Sequence, residues 1–224
     1  MMHSMWRHQL WIALLATGLA APVLAQENRV GCGDLSNAYG PYDYTDPVHR
    51  RDNLPIVEHF HFTRDVQSLR QGRSDTIAGD LDYTLRAFPN HHLALDSVAR
   101  YQLANPRPDP RYYSADCYFD RALRWRPEDA RVHMIYGIYL NKKGDKAGAI
   151  EQYQGALSLE PADPEIAYNA GLFYLGLKDY EKARELAEKA YAGGYPLEGL
   201  RNKLIALKVW DGQVTVPPPI ASTP

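Results

Sequence analysis

The sequence lacks most of the features that would place it in a catalytic or nucleic-acid-binding class. Its two cysteines are too few for a disulfide-rich scaffold, and they lack the spacing of metal ligands. Its 25 lysines and arginines nearly balance 27 acidic residues, and a net charge of −2 predicts no basic surface for nucleic acid. The motifs H-E-x-x-H, G-x-S-x-G and G-x-x-x-x-G-K-[ST] are absent, and the paired carboxylates Asp80 and Asp82 are expected on an ordinary helix surface. These absences predict a protein that is not an enzyme and binds no cofactor.

Long apolar runs are also missing. The longest covers residues 10–20, whereas a membrane-spanning helix takes about 20 residues. This run follows Arg7 and precedes Val23-Leu24-Ala25, the pattern of a secretory signal peptide cleaved after Ala25. The alternatives are an uncleaved N-terminal anchor and a lipoprotein linked through Cys32. The expectation is a periplasmic or secreted protein, with no stable membrane insertion after the signal is removed.

What the sequence does contain is a 34-residue repeat in its C-terminal half. Three small residues recur after one period: Gly137, Ala149 and Ala156 return as Gly171, Ala183 and Ala190. Small residues allow two helices to cross closely. Lys143-Gly144-Asp145 is suited to end the first helix of the unit, because glycine readily adopts the left-handed conformation found there. The period and the residue types resemble those of the tetratricopeptide (TPR) repeat, a helical hairpin that stacks into a right-handed solenoid.

The predicted fold class is all-α: a right-handed superhelical solenoid of TPR hairpins with a C-terminal capping helix and an irregular N-terminal extension. The capping helix is inferred from an apolar stripe that has basic residues on the opposite side of the helix. The stripe consists of Leu197, Leu200, Leu204 and Leu207. The expected segments are a signal peptide (1–25), an irregular extension (26–62), a solenoid (63–211) and a disordered proline-rich tail (212–224). Within the solenoid we expect a weak repeat at 63–89, clear repeats at 90–127, 128–161 and 162–195, and the capping helix at 197–210. A proline-rich docking ligand is the alternative for the tail.

A narrower resemblance covers residues 32 to about 210. Cys32-Gly33-Asp34, Gly40-Pro41, Asp43-Tyr44 and the run at residues 82–92 resemble an uncharacterised group of secreted proteobacterial TPR proteins. The resemblance implies a protein of the Gram-negative envelope and adds no catalytic residue. The label of transporter permease that some members carry does not fit, because a permease needs several long apolar spans.

Cys32 and Cys117 both remain after the predicted cleavage. In an oxidising compartment, an even pair without metal-ligand spacing predicts one disulfide, with two buried free thiols as the alternative. Cys117 falls on the predicted convex face, so that the bridge would strap the extension to the second repeat. It would close a loop of about 85 residues, for which the chain-entropy model gives about 4 kcal/mol.

His59 and His61 are the candidate metal ligands. An H-x-H pair on an extended segment points both imidazoles to one side, which suits zinc or copper, and His91 or Glu58 could add a ligand. Alternatively, the pair alternates with phenylalanines in a half-buried strand, and His91 satisfies free backbone amides at a helix start. A histidine-based metal-binding or redox-linked periplasmic protein is therefore the alternative function.

In TPR superhelices the first helix of each hairpin lines a concave groove. That geometry implies groove positions at Arg131, Met134, Ile138, Asn141 and Lys142, then Glu165, Tyr168, Leu172, Leu175 and Gly176, with Leu93, Asp96, Arg100 and Leu103 before them. Met134 and Tyr168 stand where a clamp for acidic chaperone tails carries lysines, which argues against that ligand. The expected function is a scaffold or adaptor that binds another protein or peptide in envelope assembly or secretion. The alternative is that the extension or the capping helix fills the groove and makes it core.

Overall fold

The computed structural model describes residues 30–107 and 109–213, and these residues fold into helices without a strand. A 3₁₀ turn (Val30–Cys32) comes first and is followed by α1 (Pro47–Asp52), α2 (Leu54–His61), α3 (Arg64–Gln67), α4 (Ile77–Ala87), α5 (His92–Ala104), α6 (Ala115–Trp125), α7 (Ala130–Lys143), α8 (Lys146–Leu159), α9 (Pro164–Gly176), α10 (Tyr180–Ala192) and α11 (Gly199–Ala206). The all-α solenoid predicted from the sequence is confirmed. The predicted signal peptide and residues 214–224 of the predicted tail lie outside the described residues. Within those described, no helix has both the length and the apolar character needed to cross a bilayer.

Three successive hairpins, α5–α6, α7–α8 and α9–α10, form the solenoid, and their first helices α5, α7 and α9 pack side by side. Each of the six helices begins at a side chain that accepts a hydrogen bond from a backbone amide of the first turn. These capping residues are His91, Ser114, Asp129, Asp145, Asp163 and Asp179. A cap of this kind stabilises a helix by about 1 kcal/mol. Gly144 ends α7 with a φ of 96°, the left-handed conformation predicted for it.

The small residues of the repeat lie where helices cross closely. A Cβ atom on Gly137 would stand 3.1 Å from the ring of Tyr153, and one on Gly171 would stand 2.5 Å from a methyl group of Leu200. The recurring alanines are fully buried, namely Ala149, Ala156, Ala183 and Ala190. Larger side chains at these positions would push the helices apart, as the 34-residue pattern predicts.

The predicted irregular extension contains α1 and α2, and the expectation is therefore wrong for residues 47–61. The Asp46 carboxylate caps α1 by accepting from two backbone amides, and Pro47 suits the first helical position. Leu54 and Val57 of α2 are buried against Phe88 in a small second core. These helices have six and eight residues, too few to show a helical period in the sequence. The stretch between the 3₁₀ turn and Asp46 has no helix.

The first and last elements of the solenoid are shorter than predicted. The helix α3 is a single turn, and α11 has eight residues. Leu200 and Leu204 of α11 are buried, whereas Leu197 and Leu207 are 53% and 49% exposed. The predicted four-leucine stripe is therefore wrong at both ends. The chain leaves the helix at Leu207, and Lys208 follows with a φ of 59°, so that the helical spacing stops there.

Candidate binding groove

The neighbouring faces of α5, α7 and α9 form a groove that contains a pocket of about 280 Å³. Its apolar floor comes from Leu93 on α5, Met134, Ile135 and Ile138 on α7, and Tyr195 in the loop after α10. Met134 and Ile138 lie four residues apart, on the same face of their helix. Leu93 is 45% exposed, whereas Met134 is only 4% exposed and forms the bottom. An apolar side chain entering the pocket would meet a preformed apolar surface.

Charged side chains surround this floor, and several of them are paired with one another. Arg131 donates one hydrogen bond to Glu165 and a second, of 3.2 Å, to Asp163. Burial opposes the charge of Arg131, but the hydrogen bond and the negative charge of Glu165 raise its pKa. Asp96 accepts a hydrogen bond of 2.8 Å from Arg100, one turn further along α5. Asn169 completes the polar lining beside Glu165.

A buried network connects the groove wall to the N-terminal extension. Nε2 of His92 lies 2.9 Å from both carboxylate oxygens of Asp129. Asn90 donates to Asp129 (3.0 Å) and to Asp43 (2.8 Å), and Asp43 also accepts from Nε of Arg126 (2.6 Å). Burial alone would raise the pKa of Asp43 and of Asp129, yet these hydrogen bonds lower both values. The pKa of Asp43 falls to about 2. Both aspartates are therefore charged at neutral pH and hold the extension against the loops before α5 and α7.

The structure brings only part of the predicted groove set together. Six of the predicted positions line the pocket: Leu93, Asp96, Arg131, Met134, Ile138 and Glu165. The other predicted positions lie outside its lining: Arg100, Leu103, Asn141, Lys142, Tyr168, Leu172, Leu175 and Gly176. Tyr168 is 7% exposed because the ring of Tyr195 packs against it, with ring centroids 4.4 Å apart. The loop after α10 therefore covers part of α9, while the pocket at α5 and α7 stays open.

Four residues of the pocket lining were missed by the sequence argument: His92, Ile135, Asn169 and Tyr195. The first three lie next to predicted positions on the same helices, and a wider angular window around each helix would have included them. Tyr195 comes from a loop that departs from the repeat. No local pattern in the sequence predicts which helix that loop will cover.

A larger depression of about 540 Å³ lies between α6, α7 and α8. Its polar side chains bind one another: Arg124 donates to Asp120 (2.7 Å), and Nδ1 of His133 lies 2.8 Å from Gln152. Its apolar lining comes from Leu123, Pro127 and Tyr136, and the ring of Tyr136 is already stacked on Phe119. The groove of α5, α7 and α9 has a less polar lining than this depression, and it is therefore the better candidate for binding an apolar side chain.

The candidate metal ligands His59 and His61 lie on the helix α2. The metal-site hypothesis and its alternative, a half-buried strand, both assumed an extended segment here, and that assumption is wrong. Residues two apart on a helix point about 200° away from each other. The ring of His61 stacks on Tyr83 at 3.8 Å, and its Nδ1 lies 2.9 Å from Asp80, whereas His59 is exposed beside Phe60. Among the described residues, no group of three His, Cys, Asp or Glu side chains could hold a metal ion.

His91 has a structural position. Its Nδ1 accepts from the backbone amide of Ala94 and caps α5, and its Nε2 lies 3.2 Å from a carboxylate oxygen of Glu58. The ring stacks on Tyr44 at 4.3 Å and is fully buried. Burial lowers the pKa of this imidazole. The sequence offered two roles for His91, a metal ligand or a residue that satisfies backbone amides at a helix start. The contact with Ala94 is the second of these roles.

Asp80 and Asp82 are buried, and the expectation of an ordinary helix surface is therefore wrong. Asp80 accepts a hydrogen bond from the backbone amide of Ser74 (3.1 Å), in addition to its contact with His61. Asp82 accepts from the hydroxyl of Tyr118 (2.7 Å) and from Nε of Arg86 (2.8 Å). Burial and the charge of Asp82 together raise the pKa of Tyr118, which stays protonated. These carboxylates hold α4 against its neighbours.

Cys32 and Cys117 form a disulfide, with an S–S distance of 2.01 Å, between residues 85 apart in sequence. It attaches the 3₁₀ turn to α6, as predicted. The buried guanidinium of Arg121 supports the attachment by donating to the carbonyls of Cys32 (3.1 Å) and Asp34. Arg121 also lies over the ring of Tyr113 at 5.1 Å. The bridge and this cation therefore fix the start of the described chain to the hairpin α5–α6.

Comparison with known proteins agrees with this architecture. Residues 114–164 and 142–197 match the family model of the tetratricopeptide repeat, and the matches span α6 to α10. A search of curated proteins finds no match. The family match is to the repeat and does not support the narrower resemblance to a secreted proteobacterial group. The match and the stacked hairpins together support a TPR protein, a class whose members are generally non-enzymatic scaffolds for protein partners.

Proposed function

We propose that this protein is an exported scaffold that holds a segment of another protein in the groove of α5, α7 and α9. The observation that carries the proposal is the apolar floor formed by Leu93, Met134, Ile138 and Tyr195. Covering the half-exposed Leu93 with a partner contributes about 1 kcal/mol, roughly half of the value for a fully exposed leucine. A concave apolar surface with a polar rim is typical of interaction sites. A helix or an extended peptide would fit a groove that runs across three parallel helices.

Two features support export. The predicted signal peptide would direct the chain out of the cytoplasm, and a disulfide persists most readily in an oxidising compartment. We therefore propose a periplasmic or secreted location and a role in assembling or secreting components of the Gram-negative envelope. The partner would then be another exported protein.

A photo-crosslinking amino acid at Ile138 tests the groove in the cell that produces the protein. Leu159 is a suitable control position, since it is an exposed aliphatic residue on α8 outside the pocket lining. We expect one dominant protein adduct from Ile138, identified by mass spectrometry, and none of that protein from Leu159. A folded variant that gives no adduct at Ile138, or the same adduct at both positions, would contradict binding in the groove.

The location is tested separately by cell fractionation and N-terminal sequencing. We expect the protein in the periplasm or the medium, with Gln26 as its first residue. A cytoplasmic protein that keeps residues 1–25 would sink the export proposal and leave the groove proposal standing.

A further inference from the structure

The charge of the groove is unbalanced at one end. Arg131 is the cation there; it donates to Glu165 and Asp163, and the charge of Glu160 also acts on it. Asp163 caps α9, and the first-turn amides offset part of its charge. Glu165 lines the pocket itself. Among the described residues its ion pair is with Arg131, which also faces Asp163. This end of the groove therefore has a surplus of negative charge.

Among the described residues that line the pocket, the other carboxylate is Asp96, and it has a cationic partner. Asp96 is neutralised by Arg100 at 2.8 Å. Lys142 lies on the same helix as Arg131 but eleven residues further on, about 16 Å along the helix axis. At physiological salt the Debye length is about 8 Å, and the charge of Lys142 is therefore largely screened at Glu165. A ligand would meet a negative potential mainly beside Glu165.

An aromatic ring lies at this same end. Tyr195 lines the pocket with Glu165, and its ring packs against that of Tyr168. Burial raises the pKa of Tyr195, and the negative charge of Glu165 raises it further. The hydroxyl therefore stays protonated and the ring is neutral. An aromatic face next to a carboxylate attracts a cation with an aliphatic stem, because the stem covers the ring while the charge meets the carboxylate.

We propose that the groove selects a partner segment in which an apolar side chain neighbours a lysine or arginine. The apolar side chain lies on Met134 and Ile138, and the basic one lies between Glu165 and the ring of Tyr195. An acidic residue at the second position would be repelled, which gives discrimination as well as affinity. This inference rests on the proposed function, since it names the chemistry of the partner at the same site.

The test uses the exported protein purified with its disulfide intact and a random peptide library displayed on phage. We expect selected peptides to be enriched in Lys or Arg next to Leu, Ile, Met or Phe. One selected peptide is then synthesised in its original form and with the basic residue replaced by Gln or Glu, and binding is followed by fluorescence anisotropy. The basic form should bind about fivefold tighter than the Gln form at low salt, the ratio that corresponds to an exposed ion pair of about 1 kcal/mol. The preference should shrink in 1 M NaCl.

Two variants of the groove should shift the preference in opposite directions. Glu165→Gln should abolish the preference for the basic peptide, whereas Arg131→Gln should enlarge it by freeing Glu165. Glu151→Gln, on the exposed face of α8, is the matched control and should leave the preference unchanged. Having both groove variants keeps the test valid if one of them fails to fold, which circular dichroism would reveal.

The outcomes separate this inference from the proposed function. Selected peptides that are apolar without basic residues, or a preference that survives Glu165→Gln, would overturn the charge selection alone. Peptides that still bind after Ile138→Asp, or no selected peptide at all, would overturn the groove as the binding site and the inference with it.

Discussion

Removing the disulfide between Cys32 and Cys117 should destabilise the N-terminal half of the solenoid and leave the C-terminal half nearly unchanged. The bond encloses α1 to α5 and the first turn of α6, whereas α7 to α11 lie outside the loop. Repeats of a solenoid contact mainly their neighbours, so that a local change need not spread along its length. The perturbation is the double variant Cys32→Ser and Cys117→Ser, together with the unaltered protein in reductant.

The expected magnitude follows from the loop. For 85 residues the chain-entropy model gives about 4.6 kcal/mol, mostly through the unfolded chain. The folded state should change little, because Arg121 still binds the carbonyl of Cys32 and the amide of Tyr42 still donates to the carbonyl of Ala87 at 2.8 Å. With a urea dependence of about 2 kcal/mol per M, the unfolding midpoint of this half should fall by about 2 M.

Two tryptophans allow the two halves to be followed separately. Trp125 ends α6, inside the affected half, and Trp210 follows α11 at the other end. In a Trp210→Phe background the fluorescence transition should move to lower urea when the disulfide is lost. In a Trp125→Phe background it should move by less than about 0.5 M, since the C-terminal hairpins keep their contacts.

Either of two results would refute this reasoning. A shift of less than about 0.5 M for Trp125 would mean that the unfolded chain gains little freedom when the loop opens. Equal shifts for both tryptophans would mean that the solenoid unfolds as one unit and that the local argument is wrong. Intact mass after alkylation, with and without reduction, verifies that the bond was present.

Three further predictions rest on single residues and a fourth on a pair. The pKa of Asp43 is lowered to about 2, although burial alone would raise it. The stability that its charge contributes is therefore present above about pH 4 and lost as the pH falls towards 2. Asp43→Asn should lower the free energy of unfolding by about 2 kcal/mol at pH 7 and flatten this pH profile in urea titrations. Burial lowers the pKa of His91, so that stability should fall as pH drops below about 6.5, and His91→Gln should remove that slope. Gly144→Ala should lower the free energy of unfolding by about 1 kcal/mol, a fall of about 3 °C in melting temperature, because φ is 96° there. Ile138→Asp combined with Leu172→Asp should leave a folded protein with a lower melting temperature, since both side chains are only half-buried; complete unfolding would show that the groove is core.

The hairpins could be predicted because local rules specify them. Gly137 and Gly171 allow close helix crossings, Gly144 adopts the left-handed end of α7, and Asp145 supplies the cap for α8, each through contacts within one repeat unit or with the next. These local preferences are weak one by one, but they recur after 34 residues. The recurrence makes the pattern clear. The disulfide could be predicted from the composition and from the expected oxidising compartment, because the sequence has only two cysteines to pair.

The N-terminal extension and the position of the pocket depended on contacts between residues far apart in sequence. Asp82 is buried because the hydroxyl of Tyr118, 36 residues away, reaches it, and nothing in the local sequence predicts that partner. Tyr195 covers Tyr168 and thereby moves the open groove towards α5, which no helical period could indicate. The sequence by itself determined the helices of the three repeat hairpins and how they pair, since those choices are local. Only the tertiary structure decided which polar groups are buried and where the groove stays open, because packing partners from distant segments determine both.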